Sequence, residues 1–546
     1  MKKVLLVLIF LSLFFGCEKR EQKADFIISN ATIWTGNNKV PKAQAMAVIK
    51  DSIIAIGNLK QVNKFKGRET NIIDLNGAFV TPGFIDSHVH LMMGGNALLN
   101  VQLRDVDTKE EFKKRIREAA KNMEPGAWIL EGNWDHTLWG GELPNKSWID
   151  DYTKDNPVVI YRMDGHMVLA NSLALKIAGI NKNTLDVEGG KFLKNENGEL
   201  TGILKGHAMT DLLNKIPAMT EKQKETALKA AQEYFLSNGV TSLHDVDSLG
   251  TYDVAAKLKF NNDLKIRIYT FNPLNRWKEL RTNKEDNKWL KDGGLKGFVD
   301  GSLGSHTAAF KEDYSDKPND KGYFINSEEN LYKWVLGADK ANLQVTVHAI
   351  GDKAIHTILN IYERVITENG KKDRRFRIEH AQHIAPEDLG RFAKLGVIAS
   401  VQPYHAIDDG RWAEEVIGSE RIKTTYAFKS LLNSNATICL GSDWPVAPTS
   451  PLYGIYAATT RRTLDNENEN GWVPEQKISV EEALLGYTKY AAISAFDDKL
   501  KGTLEVGKLA DFVVISDDIT KVDPKKIKDL KILQTYVGGK KVYESK

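Results

Sequence analysis

Cysteine is nearly absent: 546 residues hold two, Cys17 and Cys439. A pair cannot build a disulfide framework, and Cys439, inside the apolar run ATICLGSD, reads as a core residue. Charge of one sign is equally scarce. The formal net charge of +3 is spread over 75 basic and 72 acidic residues. No basic run of the kind a nucleic-acid groove needs is present, so a small-molecule substrate is expected and no nucleic acid. No internal repeat or low-complexity tract stands out. Long apolar runs are missing as well, since Val4 to Phe15 is too short to span a bilayer comfortably. What remains, 42% hydrophobic and 27% charged, is the composition of a folded globular chain, one large domain with additions or two to three domains.

The run Val4 to Phe15 follows Lys2 and Lys3 and ends at Gly16-Cys17, so residues 1–17 read as an export signal. A small residue directly before cysteine resembles the bacterial lipoprotein signal. Cleavage before Cys17 and acylation of that cysteine would then anchor an exported protein to a membrane of a bacterial cell envelope. Phe14-Phe15-Gly16 is bulkier than the usual signal, and an ordinary signal peptide or a retained anchor is the alternative. With Cys17 acylated, no intramolecular disulfide can form.

From Asp25 the chain reads as short β segments, DFIISNATIWTG, AMAVIKDSIIAIG and NIIDLNGAFVTPG, and the same texture returns in KGTLEVGKLADFVVISDD and ILQTYVGGKKVYES. Residues 25–78 and 500–546 are therefore expected to form one composite β-sandwich, with residues 79–499 inserted between them. That middle alternates strand-like apolar runs with helical stretches. Eight runs count toward an α/β fold with a (β/α)8 TIM barrel: Phe79–His90, Gly239–Val246, Ile266–Phe271, Leu295–Asp300, Gln344–Ile350, Phe376–Gln382, Val397–Gln402 and Thr437–Asp443. Two further runs, WILEGNW and VVIYRMDGH, would exceed that count, so residues 126–217 are assigned to an inserted subdomain over the barrel mouth.

The first run ends in GFIDSHVH. Residues i and i+2 of a strand point to the same side, so His88 and His90 can both face the barrel axis at the strand's C-terminal end, where barrel enzymes place their catalysts. Taken alone, His-x-His is a weak signal. It gains weight because four other runs also end in candidate residues: Lys296 in LKGFVDG, His348 in VTVHAIGD, His380 in RIEHAQH and Asp443 in CLGSDWP. Metal sites need donors that converge from separate elements. His348 and His380 are separated by about one βα unit of roughly 30 residues, and GVIASVQP supplies a strand between His380 and Asp443.

These motifs, taken in order, resemble the metal-dependent amidohydrolase superfamily and, within it, the amidohydrolase-3 or YtcJ-like branch. TPGFIDSHVH, DGHMVLANSLAL, KGFVDGSLGSHTAAF, VTVHAIGD, RIEHAQ, SVQP, GSDWPV and GTLEVGKLADFVVI carry the likeness over nearly the whole mature chain. The resemblance implies that His88, His90 and Asp443 bind one metal and that His348 and His380 bind a second. Lys296 would bridge them. An ammonium cannot ligate a cation, so the bridge implies a carbamylated Lys296; a solvated or ion-paired Lys296 with a one-metal site is the alternative. The cofactor implied is one or two divalent ions, zinc by default, with manganese or iron chemically acceptable. Asp443 would also be catalytic, taking a proton from water and delivering it to the leaving nitrogen. The resemblance gives His166 a substrate-binding role, against a structural hydrogen bond.

Trp134, Asp135, Trp139 and Trp148 cluster in the insertion, where core packing competes with a pocket lining. One departure from the branch stands out: after TGILK it usually carries glutamate, and here Gly206-His207 follow. His244, His306, His356, His383 and His405 read as structural or as supports of the ligands. The expected activity is hydrolysis of a carbon–nitrogen bond other than a peptide bond, in an amide, N-formyl, N-acyl or cyclic imide group. A deaminase or an ester or lactone hydrolase could use the same site, because activated water does not dictate the leaving group. A metal-binding lipoprotein without turnover is the rival from another class.

Overall fold

Runs of apolar residues without alternation mark strands covered on both faces, the habit of parallel sheets. The computed structural model describes residues 22–162, 167–187, 190–246, 250–280 and 288–546, and forms eight such strands. They are β1 (Phe84–Val89), β2 (Val240–Asp245), β3 (Arg267–Pro273), β4 (Leu290–Phe298), β5 (Gln344–Ala349), β6 (Arg377–His380), β7 (Ile398–Val401) and β8 (Ile438–Leu440). Each pairs in parallel with the next. Between the last and the first, a parallel bridge joins Val89 to Trp444, and hydrogen bonds of 2.8 Å run from Asp443 N to His88 O and from His90 N to Trp444 O. The result is a nearly closed eight-stranded α/β barrel, and all eight expected runs contribute a strand to it.

One run divides. Phe79–Pro82 leaves the barrel and pairs with Phe512–Ile515 and Thr32–Trp34, while Phe84–Val89 alone becomes β1. Gly83 makes the junction possible, since a Cβ there would lie 2.2 Å from Thr241 Oγ1. The six-stranded sheet that receives Phe79–Pro82 mixes strands from both ends of the chain, Thr32–Trp34 and Lys42–Ala43 with Phe512–Ile515, Ile532–Val537 and Lys540–Glu544. A four-stranded sheet of Phe26–Ser29, Ala45–Ile49, Ser52–Gly57 and Asn71–Asp74 accompanies it.

A separate six-stranded sheet draws its strands from Val101–Gln102 to Leu200–Gly206 and holds the two supernumerary runs as the neighbours Glu131–Trp134 and Val159–Arg162. Trp134 is fully buried there and donates from Nε1 to Ile160 O at 3.0 Å. Trp139 and Trp148 pack on Phe112, so these three indoles serve the core of this layer.

Packing around β1 places the end of that strand. Helix Glu221–Ser237 opens with a capping box between Thr220 and Gln223 and buries Ala227, Leu228, Ala231 and Phe235, a stripe at helical spacing. Leu228 and Phe235 each contribute about 1.5–3 kcal/mol by burial. The stripe meets helix Leu91–Leu99, whose Gly95 would drive a Cβ to 2.4 Å from Ala227 O, while Gly94 stands against the Trp444 ring in the same way. Gly94 thus brings the helix that follows His90 against the residue that follows Asp443, and Gly95 brings it against helix Glu221–Ser237. Among the described residues no helix is long and apolar enough to cross a membrane.

Candidate metal centre

Every strand-end residue singled out above reaches the C-terminal mouth of the barrel. His88, on β1, is fully buried, and His90 follows it with its side chain 22% exposed. Lys296, on β4, is buried opposite Thr346, two positions short of His348 on β5. His380 closes β6, and Asp443 follows β8. Asp443 Oδ1 lies 3.3 Å from His88 Nε2 and 3.1 Å from His90 Nε2. The His88 and His380 rings are 5.0 Å apart, and those of His348 and His380 4.5 Å. His166 lies outside the described residues.

Three imidazoles have their tautomers set by acceptors that carry no proton of their own. His88 Nδ1 meets Glu379 Oε2 at 2.5 Å, His348 Nε2 meets Gly301 O at 3.0 Å, and His380 Nδ1 meets Gln402 Oε1 at 2.9 Å. Each of those nitrogens must donate, which leaves His88 Nε2, His348 Nδ1 and His380 Nε2 as lone-pair atoms. Burial, reinforced by the Lys296 charge, pushes His88 down to about 4 and His348 down to about 3. Burial and the neighbouring His348 push His380 well below its ordinary value. All three are held neutral, the form that binds cations. Burial alone would raise the Asp443 carboxyl, but the imidazoles of His88 and His90 beside it hold it well below its ordinary value.

The centre therefore brings three unprotonated imidazole nitrogens and a carboxylate together at the mouth. His88 Nε2, Asp443 Oδ1 and His405 Nε2 are all buried and none takes part in a hydrogen bond. Such atoms are costly to bury unless a cation completes them. Two groups have ligand atoms close enough to share an ion: His88, His90 and Asp443, and His380, His405 and Asp443. His348 belongs to neither. The donor chemistry, neutral nitrogen and carboxylate oxygen from separate strands, fits a divalent transition ion. Backbone geometry points the same way, because His380 (φ +71°), Ala381 (φ +43°) and Asp443 (φ +62°) sit in the left-handed region, which side chains occupy only where surrounding structure compels it.

Two supports escaped the sequence. Glu379, fully buried, orients His88 and is itself held by Arg377 Nε at 2.9 Å and by the Thr346 hydroxyl. Burial would raise its carboxyl, yet the Arg377 charge keeps it well below the ordinary range. Arg377 in turn donates to Ser87 O at 2.6 Å. Charges at alternate positions of a wholly buried strand, as in Arg377-Ile378-Glu379, were the signal available for it. Asp300 is the second support. It accepts from Ala309 N, Ile350 N and Gly351 N at 2.8–3.0 Å and so holds the loop after β5. His405, read from the sequence as structural or as a support of the ligands, has a ring nitrogen in the second of these groups. Beside the centre, a cavity of about 400 Å³ opens, lined by His90, Lys296, Met93, Leu274, Phe298 and Trp334.

A nearly closed barrel with convergent imidazole and carboxylate donors at its mouth defines a metal-dependent hydrolase scaffold. The amidohydrolase family model matches residues 71–543, and the chain belongs to that family. It is 43% identical over 537 residues to protein LONG AFTER FAR-RED 3 of Arabidopsis thaliana, covering 95% of this chain and 92% of the relative. It is 26% identical over 547 residues to the N-substituted formamide deformylase of Arthrobacter pascens, covering 96% and 99%. Among solved structures, an uncharacterized metal-dependent hydrolase from Pyrococcus horikoshii OT3 superposes with a TM-score of 0.77 at 28% identity, covering 91% of this chain and 99% of that one. Family and donor set together make the protein a hydrolase that uses a divalent metal.

Proposed function

We propose that the protein hydrolyses a carbon–nitrogen bond other than a peptide bond, in an amide, N-formyl, N-acyl or cyclic imide group. The observation that carries this reading is the orphaned pair His88 Nε2 and Asp443 Oδ1, buried 3.3 Å apart at the mouth. The relation to a formamide deformylase favours N-formyl and N-acyl substrates among the possibilities. His88, His90 and Asp443 would hold one ion, and His348 and His380 would serve a second with Lys296 as a carbamate between them. A bound divalent ion, zinc as the first choice, supplies Lewis acidity toward a carbonyl and makes water more acidic.

The chain's own groups do the rest. Asp443, kept ionised, takes a proton from the attacking water and returns it to the departing nitrogen, so that an amine leaves instead of an amide anion. Glu379 keeps the His88 proton on Nδ1 and the opposite nitrogen bare. The apolar side chains of Met93, Leu274, Phe298 and Trp334 would pack against the substrate. His166 would bind substrate. Export with a lipid anchor at Cys17 is proposed on the signal alone, and radiolabelled palmitate that fails to enter the wild-type chain, or enters a Cys17→Ser variant equally, would refute it.

The activity test is a panel of N-formyl, N-acyl, imide, ester and lactone substrates, assayed before and after chelation and after zinc is restored. Turnover of a C–N substrate that chelation removes and zinc restores is the expected result. Turnover confined to esters or lactones, or turnover indifferent to chelation, would overturn the reading.

A further inference from the structure

The ring nitrogen that the reading above leaves unused is His405 Nε2. It is buried and takes part in no hydrogen bond, although the ring is 14% exposed. It lies 3.9 Å from Asp443 Oδ2, too far for a hydrogen bond. Asp443 thus turns its two oxygens to different partners, Oδ1 toward His88 and His90 and Oδ2 toward His405. On the far side His380 faces His405 with its ring nearly parallel, 9° off, at 6.3 Å.

The position is rigidly built. His405 stands on helix Pro403–Asp409, which starts directly after β7 with proline in its first turn. Gln402, at the start of that helix, is the residue that fixes the His380 tautomer. At the other end, Asp409 accepts from Tyr426 Oη at 2.6 Å and from Gln382 Nε2 at 2.8 Å, which pins the helix to the chain just beyond β6. A side chain on a helix anchored at both ends does not go without a hydrogen bond through looseness. Histidine next to a carboxylate would be expected to close a hydrogen bond; the gap between His405, His380 and Asp443 has instead the dimensions of a shared ion.

We infer that His405 is a ligand of the second cation, which it holds together with His380 and Asp443 Oδ2, so that the Asp443 carboxylate spans both cation positions. The inference rests on the metal-dependent reading above. It adds a donor from the seventh strand end, to which the strand pattern assigned no ligand.

Zinc titrated into the apoprotein against a chromophoric chelator reads it out without any substrate, and anomalous scattering at the zinc edge from loaded wild-type crystals locates each ion. Wild type is expected to take two equivalents, with one anomalous peak about 2.1 Å from His405 Nε2. His405→Ala is expected to keep one tight equivalent and to bind the second more than about 100-fold less tightly, beyond the roughly 10–100-fold that losing a mere orienting partner costs. Two equivalents bound by the variant within about 10-fold of wild type would overturn the inference, as would a wild type holding one ion only or a second peak out of reach of His405. Should the variant not fold, the wild-type crystals decide. A wild-type chain that binds no zinc, manganese or iron would overturn the metal-dependent reading itself, whereas an indifferent His405→Ala in a fully loaded protein overturns only the role of His405.

Discussion

At the N-terminal ends of the barrel strands Arg267 is gripped by Asp511 through hydrogen bonds of 2.6 and 2.8 Å, whereas at the C-terminal ends His88 Nε2 and Asp443 Oδ1 face each other at 3.3 Å with neither hydrogen-bonded. Both clusters are buried. On the floor, every charge is answered: Asp497 takes Lys291 at 2.8 Å and Lys501 at 3.1 Å, and Arg267 also donates to Lys288 O. Burial would raise the Asp497 carboxyl, but the two ammonium groups hold it below its ordinary value. At the mouth the lone pairs are turned toward one another. A buried charge with all its partners bolts one layer to another, here the sheet of the chain ends to the barrel; a buried lone pair turned toward other donors is suited to hold a cation.

Asp443→Asn should break the mouth most severely. Asparagine tolerates the left-handed backbone at this position, so the fold should persist while kcat at saturating zinc falls about 10²–10⁴-fold. Undiminished turnover would remove Asp443 from proton transfer. Arg267→Ala attacks the floor instead and leaves the buried Asp511 carboxylate with the Gly538 N–H but without its guanidinium. Stability should fall by about 3–5 kcal/mol in a urea titration, with zinc affinity of the folded protein unchanged; a loss of zinc binding would blur the division between the two ends.

Glu379→Gln should act between these extremes. His88 loses its anionic acceptor, and zinc affinity of the folded fraction should drop about 10–100-fold in a chelator competition. An affinity equal to wild type would show that His88 needs no orientation.

A different kind of effect concerns acid. His383 Nδ1 donates to Thr425 Oγ1 at 2.8 Å, and its Nε2 accepts from Gln382 Nε2 at 3.0 Å, so the ring is neutral and has no room for a second proton. Burial, with the Arg421 charge nearby, pushes it down to about 3. The unfolded ring, near 6.5, binds a proton that the folded one refuses. The stability it contributes is therefore complete above about pH 6.5 and declines by about 1.4 kcal/mol per pH unit toward about pH 3. His383→Gln should flatten that slope in urea titrations repeated from pH 7 to 4. Asp497 works in another window, since a carboxyl held below 3.8 loses its contribution only as pH falls beneath that value. His383 thus yields to acid before Asp497 does.

The barrel was legible because strands buried on both faces leave unbroken apolar runs, and all eight could be counted. The split of Phe79–His90 at Gly83 was not legible, because continuous hydrophobicity hides a change of sheet; only the partners, Asp511 O for Gly83 N and Gly239 O for Phe84 N, reveal it. His88, His90, Lys296, His348, His380 and Asp443 could be proposed since each ends a strand. His405 and Glu379 escaped for opposite reasons. His405 rides a helix, where strand periodicity says nothing, and Glu379 sits one residue from His380, where alternation would turn it away from the centre. It reaches His88 across the barrel interior, a relation between residues 291 apart that only the closed sheet creates.

The pairing of Phe79–Pro82 with Phe512–Ile515 carries a consequence for the order in which the molecule is made. Synthesis runs from the N-terminus and domains tend to fold as they emerge. Strands β1 to β8, and with them every proposed ligand, have left the ribosome before Asp511 exists to grip Arg267. Until then the edge of Phe79–Pro82 is open to any passing strand. A nascent chain stalled after residue 500 would thus carry all the metal donors on a barrel whose floor is still unlatched, and it is there that a chaperone would have most to do.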